Sequence, residues 1–364
     1  MKNHNEVIHS LDGIRAISIS LVVLSHWGLG HIIPGGLGVS IFFFISGFLI
    51  TFLLIKEFEN NNRINYIQFF KRRILRLAPA LIFFLILSNL FIISTDGKFS
   101  LDELASAIFY YSNYYKIYFG YESLESLIPN QTVYSPFNIL WSLSIEEQFY
   151  LFFPFLFILL IRRSHIFVLI LSFSLCIPLF LRIYYSYIYE NIHLFTYYSS
   201  ETRFDTLIAG CLFAFIFKNK HHTFISDKKF FLSGAALVLL SLVYREELFR
   251  ETLRYTIQWI GFLLIFPYIL CLNNKTFIYK ILNNRSMLYI SKLSYSLYMS
   301  HWLGISVATT YFLKFSAIWY VCTISLSIAI SVLSYSLIEK PFLRLKYKDL
   351  MKEDSVMDLQ KKPL

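Results

Sequence analysis

Apolar runs long enough to cross a lipid bilayer recur along this 364-residue chain, and they leave few folds open. Ten such runs are read at about 11–30, 37–56, 78–95, 142–161, 165–186, 204–218, 229–244, 255–272, 294–313 and 316–338, each near the length that about 30 Å of hydrocarbon requires. In hydrocarbon every backbone amide must be satisfied internally, and repeated apolar runs of this length do so as helices. Hydrophobic residues make up 56% of the chain and charged residues only 15%, which excludes an ordinary soluble globular domain. The expected fold class is all-α: a polytopic membrane protein of about ten transmembrane helices.

Charge sets the expected orientation. With the N-terminus inside, 24 of the 33 lysines and arginines fall in inner segments, eight in outer segments, and Arg15 within the first span. That bias predicts that both termini are cytoplasmic and that the protein sits in the cell inner membrane. It also accounts for the net charge of +10 without nucleic acid. No cleavable signal peptide is expected, because the N-terminus lacks a small-residue cleavage site after a compact apolar core. The first span is therefore read as retained. The expected organisation is a membrane-embedded domain over 1–345 and a charged cytoplasmic tail over 346–364. The segment 63–77 is predicted to be a separate basic amphipathic helix at the interface, with Pro79 opening the following span. Cys176, Cys211, Cys271 and Cys322 sit singly in apolar runs. They predict small buried residues, with no disulfide framework and no metal site.

The first span carries Arg15 and His26. Eleven residues of helix place them on one face, about 16 Å apart along the axis. Ionisable groups inside a span mark function by default. The simpler alternative is an arginine snorkelling to the inner headgroups and a histidine hydrogen-bonded within the bundle. Arg72, Arg73 and Arg76 cluster before Pro79, either as an anchor on anionic lipid or as a phosphate-binding lip. Trp141 opens a stretch containing Glu146 and Glu147, two carboxylates near the outer end of a span; one of them could orient His26 or bind a substrate. Arg203 and Asp205 are too close in sequence to share a helix face, so each is expected to find a partner on another helix. His301 follows Tyr298 by three residues on a polar, aromatic stripe. Glu339-Lys340-Pro341 reads most simply as a surface charge cluster and a helix stop.

Taken together, these motifs resemble those of acyltransferase family 3, integral membrane O-acyltransferases that acylate extracytoplasmic carbohydrates. The match runs from about residue 10 to 342. Its elements are the basic residue with histidine at Arg15 and His26, the Arg-x-x-Arg pair at Arg73 and Arg76, and the tryptophan-serine-leucine motif with Glu-Glu-Gln-Phe-Tyr from Trp141 to Tyr150. The serine-tyrosine and His-Trp run from Ser294 to Trp302 and the Glu-Lys-Pro-Phe at Glu339 complete it. The resemblance implies acetyl-CoA or another acyl-CoA as donor, a glycan hydroxyl as acceptor, membrane lipid as surroundings and no metal. It implies a member without the SGNH-type domain that some members carry. It further implies Arg15, Arg72, Arg73 and Arg76 on the donor, His26 with Glu146 or Glu147 in catalysis, and Trp141, Arg203, Asp205 and His301 on substrate. The main competing class is a transporter or flippase for a glycan or organic anion, which the lack of an internal repeat disfavours. A scaffold subunit would leave the ionisable groups in the spans unexplained.

Overall fold

The computed structural model describes residues 10–95, 100–120, 123–124, 130–219, 223 and 225–345. The expected tail, 346–364, lies outside them. The chain divides into two compact units. One comprises Met1–Ile64, Leu101–Glu122 and Phe137–Ser294; the other comprises Asn65–Ser100, Ser123–Pro136 and Tyr295–Leu364.

The first unit holds α1 (Leu11–Leu24), α2 (Gly35–Asn61), α4 (Leu101–Ile108), α5 (Ser112–Tyr118), α6 (Leu140–Leu160), α7 (Ser164–Ser174), α8 (Cys176–Ile188), α9 (Ile192–Tyr198), α10 (Phe204–Lys218), α11 (Lys228–Val243), α12 (Glu247–Glu251), α13 (Leu253–Leu270) and α14 (Phe277–Leu282). Its centre is the crossing of α2 and α10. A Cβ on Gly47 would stand 1.9 Å from the Leu207 carbonyl oxygen, and one on Gly210 would stand 2.1 Å from that of Phe44. The two backbones touch, which is how helices gain contact in lipid, where hydrophobic burial offers little. Around the crossing, Phe44 lies 4.6 Å from Phe266 and Phe48 lies 5.2 Å from Phe213, so rings of α2, α10 and α13 interlock.

The second unit holds α3 (Tyr66–Ser94), a strand pair of β1 (Ser123–Leu124) and β2 (Val133–Tyr134), the larger part of α15 (Arg285–Tyr311), and α16 (Ala317–Leu333). Asn65 caps α3 through the Gln68 amide at 3.0 Å, and Ser316 caps α16 through Trp319 at 3.2 Å. Polar side chains tie its helices together. The Ser300 hydroxyl donates to the Ser327 carbonyl at 2.8 Å, the Trp319 indole to Thr309 at 2.9 Å, and the Trp302 indole to the Ser135 carbonyl at 3.1 Å.

Among the described residues, five helical stretches are long and apolar enough to cross a membrane: Gly35–Asn61, Tyr66–Ser94, Pro136–Ile188, Leu253–Leu270 and Ala317–Leu345. Each of the ten expected runs is helical, with local departures. The basic segment and the third span are one helix, α3, with Pro79 inside it. Ending a helix at a membrane boundary strips several backbone groups of partners, whereas a proline within it removes one. The fifth run breaks at Leu175 into α7 and α8, because the Pro178 ring clashes with the carbonyl four residues back, at Ser174. At the far end, Pro341 does not stop the helix, which continues to Leu345. A wider π turn over Ser334–Glu339 contains the carbonyl that the Pro341 ring would strike. Glu339 is not at the surface either: it is buried and accepts a hydrogen bond from Ser296. Of the cysteines, Cys211 alone is buried within the chain; Cys176 and Cys271 are exposed and Cys322 is intermediate, on apolar helices whose outer faces suit lipid.

Candidate active site

α1 is regular from Leu11 to Leu24, so Arg15 lies within it and His26 lies two residues past its end. The Arg15 guanidinium lies 3.8 Å from the Asp12 carboxylate one turn earlier, and the other end of that tether is the Ser291 hydroxyl, 3.0 Å from Asp12. His26 does not sit in ordinary helix. Ser25–Leu29 forms a π turn, with Trp27 at ψ 18° and Gly28 at φ 104°. The latter conformation is open to glycine and strained for other residues. Such turns inside helices are concentrated at functional sites, because they redirect a side chain that a regular turn would stack.

The opening turns of α2 join this turn to the rest of the site. A Cβ on Gly35 would stand 2.7 Å from the Ser25 side chain, the residue before His26. On the neighbouring face, a Cβ on Gly36 would stand 3.2 Å from the Tyr197 hydroxyl. One turn further, Ser40 accepts from Arg203 Nη2 at 3.2 Å. Arg203 is fully buried, with its guanidinium 3.9 Å from the Tyr255 ring centre and 5.1 Å from that of Tyr197. Its Nε and Nη1 have no hydrogen-bond partner among the described residues, nor does the Trp27 indole nitrogen. Burial raises the Tyr197 phenol pKa and the Arg203 charge opposes that rise. Trp141 packs on the same tyrosine, 4.7 Å from Tyr197 and 5.0 Å from Tyr198.

Asp205 finds the inter-helix partner that spacing required, and it is Arg182. The two are 2.8 Å apart and fully buried. Arg182 also donates to the Thr252 carbonyl at 2.9 Å and the Thr256 hydroxyl at 2.8 Å, so the pair locks α8, α10 and α13 together. α6 uses its motif residue by residue. The Ser112 amide donates to Ser144 Oγ at 3.1 Å; Glu146 accepts from Ser46 at 2.7 Å; Gln148 donates to the Tyr110 carbonyl at 2.7 Å and to Asn113 at 2.9 Å. Ser46 lies eleven residues, about 16 Å of helix, beyond Gly35. Glu147 is half-buried on the same helix. Glu201 accepts from two phenols, Tyr114 at 2.6 Å and Tyr185 at 2.8 Å; burial, and then this carboxylate, raise the Tyr114 pKa.

In the second unit, Arg72, Arg73 and Arg76 are half-exposed on α3, and Arg76 makes no hydrogen bond or ion pair among the described residues. His301 is fully buried on α15, its Nδ1 3.0 Å from the Leu297 carbonyl and its ring 5.7 Å from Tyr298.

A family model described as an acyltransferase domain matches residues 8–336. The chain belongs to this acyltransferase family. Its relatives include a protein of Staphylococcus aureus (strain COL), SACOL0978, named provisionally as an O-acetyltransferase. That protein is 33% identical over 363 residues, covering 92% of this chain and 57% of its own length. O-acetyltransferase OatA of Staphylococcus aureus (strain NCTC 8325 / PS 47) is 31% identical over 354 residues, covering 93% of this chain and 57% of its own length. The chain therefore spans a little over half the length of these relatives. No solved structure matches it. Together with the apolar helices, the family makes this a multi-pass membrane protein.

Several residues of this constellation gave no signal in sequence. Arg182 entered only as one of the eight lysines and arginines counted in outer segments. Gln148 lay inside a recognised motif, yet its partners Tyr110 and Asn113 are more than thirty residues away. His193 and Glu251 are 58 residues apart and meet at 3.0 Å.

Proposed function

We propose that this chain is an integral membrane O-acetyltransferase that moves an acetyl group from cytoplasmic acetyl-CoA to a hydroxyl of an extracytoplasmic carbohydrate. Family membership supports acyl transfer, and the names of the relatives support O-acetyl transfer. The observation that carries the residue assignment is His26 in its π turn, whose Ser25 adjoins Gly35 at the start of α2, where the next residue, Gly36, faces the Tyr197 hydroxyl. Ten spans with both termini cytoplasmic put the His26 end of α1 outside and the Arg15 end inside.

In this reading Arg15, Arg72, Arg73 and Arg76 take the phosphates of the donor. The rise from Arg15 to His26 matches the length of a pantetheine arm, so the thioester reaches the level of His26. His26 takes the proton of the acceptor hydroxyl as its oxygen bonds to the acetyl carbon. The carbon–sulfur bond breaks, and the proton passes to the departing thiolate. Glu146 and Glu147 lie on α6 away from this step, Glu146 being held by Ser46 about 16 Å of helix beyond Gly35. Trp141, Arg203, Asp205 and His301 serve the substrate side.

The test is transfer of label from acetyl-CoA to an alkali-labile ester on glycan, in membranes holding the wild type or His26→Ala. The variant is expected to insert normally and lose at least about a hundredfold in rate, the contribution of a positioned base. Near-normal transfer by His26→Ala would remove the base assignment. A protein that moves a glycan without consuming acetyl-CoA would instead be a flippase.

A further inference from the structure

A second imidazole stands at this site, held by a carboxylate that the transfer chemistry above does not use. His193 on α9 has its Nδ1 3.0 Å from Glu251 Oε2, with the His193 side chain 47% exposed and that of Glu251 1%. The Glu251 carboxylate is fully engaged. Oε2 also accepts from the Thr196 hydroxyl at 3.0 Å, and Oε1 accepts from Arg250 Nε at 2.9 Å. Burial works against its ionisation, but the hydrogen bonds from His193, Arg250 and Thr196 outweigh it and hold the carboxyl well below the usual range. An ionised carboxylate only accepts, so Nδ1 must be the donor. The neutral ring then carries its lone pair on Nε2, which has no partner among the described residues.

The ring is also oriented. It stacks on Tyr197 at 4.9 Å and 21°, and meets Tyr198 edge-on at 5.8 Å. Both tyrosines are half-buried and backed by Trp141. The charges around it are spoken for: Arg250 on Glu251, Arg203 against Tyr197, and Lys116 over the Tyr198 ring at 4.0 Å. Arg254 and Tyr255 approach from α13 and act on Tyr197.

We propose that His193, Tyr197 and Tyr198 form the acceptor subsite, binding a neutral sugar whose hydroxyl donates to His193 Nε2 while its ring lies against the edges of the two tyrosines. The chemistry selects the class. A lone pair fixed on Nε2 needs a ligand that brings a hydrogen-bond donor such as a sugar O–H, and an ionised carboxylate or a phosphodiester brings none. Aromatic side chains with one fixed polar group are how concave sites orient uncharged ligands. The Tyr197 hydroxyl at the first turn of α2 links this subsite to the turn that carries His26. The assignment rests on the acetyltransferase reading for its role as acceptor site, and on its own geometry for sugar binding. Glu251 is a positioning residue, acting through His193.

The experiment uses the full chain in lipid nanodiscs, with maltotriose and the N-acetylglucosamine trimer as probes. Direct binding of each is measured, together with acceptor KM, donor KM and kcat in acetyl transfer. His193→Ala is expected to weaken trisaccharide binding and raise acceptor KM about tenfold, the value of one hydrogen bond of roughly 1.4 kcal/mol, with donor KM and kcat within about twofold. Glu251→Ala shifts acceptor KM the same way. His193→Gln, which keeps an acceptor oxygen near the Nε2 position, stays within about threefold of wild type; His193→Lys, which only donates, is as weak as alanine. Failure of the wild type to bind either trisaccharide overturns the subsite. So does a fall in kcat with acceptor KM unchanged, or equal behaviour of the glutamine and lysine variants. Binding that depends on His193 without any acetyl transfer would leave the subsite standing and remove the acetyltransferase reading alone.

Discussion

Lys116 shows how a residue can report on its surroundings without a sequence motif. Its Nζ lies 2.6 Å from Asn138 Oδ1 and over the Tyr198 ring, and burial pushes its pKa down from 10.5 to about 7. Between about pH 7 and 10.5 the unfolded chain therefore holds a proton that the folded chain has given up. Stability must rise with pH across that window, by at most about 1.4 kcal/mol per pH unit for one proton, and the penalty is full below it. Thermal melts in detergent between pH 7 and 9 should show the wild type gaining on Lys116→Met as pH rises; parallel curves would contradict the assignment. Nothing in the sequence around Lys116 announces this. By contrast Arg15, His26 and Trp141 were legible, because an ionisable group or a motif inside an apolar run is conspicuous. Arg182, His193 and Glu251 were not, because each depends on a partner that only folding supplies. The spacing of Arg203 and Asp205 predicted partners on other helices without naming them, and Asp205 found Arg182.

At the scale of elements, the helical runs were readable because the bilayer fixes their length, and their interruptions were not. A π turn shifts the hydrogen-bonding ladder locally and leaves no periodic trace, so neither the turn at His26 nor the one before Pro341 could be foreseen. Pro79 and Pro178 carry the same local signal with opposite outcomes, one inside a continuous helix and one past a break. The packing of α2 on α10 is equally silent in sequence, since Gly47 and Gly210 are two glycines among thirteen. It is also a place where a methyl group has no room. Gly47→Ala should push the Leu207 backbone away and cost about 1–3 kcal/mol or more. Size-exclusion profiles and melts of the solubilised variant check this; a profile and midpoint equal to wild type would show that the helices can separate freely.

For the whole molecule, the charge bias and the site converge on one consequence. In the proposed topology, the bias in lysine and arginine puts Arg15 at the inner end of α1 and His26, just past its other end, outside. The proposed transfer, with a donor entering at one membrane face and an acceptor bound at the other, would give the ionisable groups within apolar spans a use that offsets their cost. The direct measurement is acetyl transfer in sealed proteoliposomes of defined orientation, with labelled acetyl-CoA supplied to one side only and a trisaccharide acceptor to the other. Label should appear as an alkali-labile ester on the acceptor only when acetyl-CoA faces the Arg15 end, and His26→Ala should abolish it. Ester formed only when donor and acceptor share a side, or formed equally by His26→Ala, would contradict transfer across the membrane through His26.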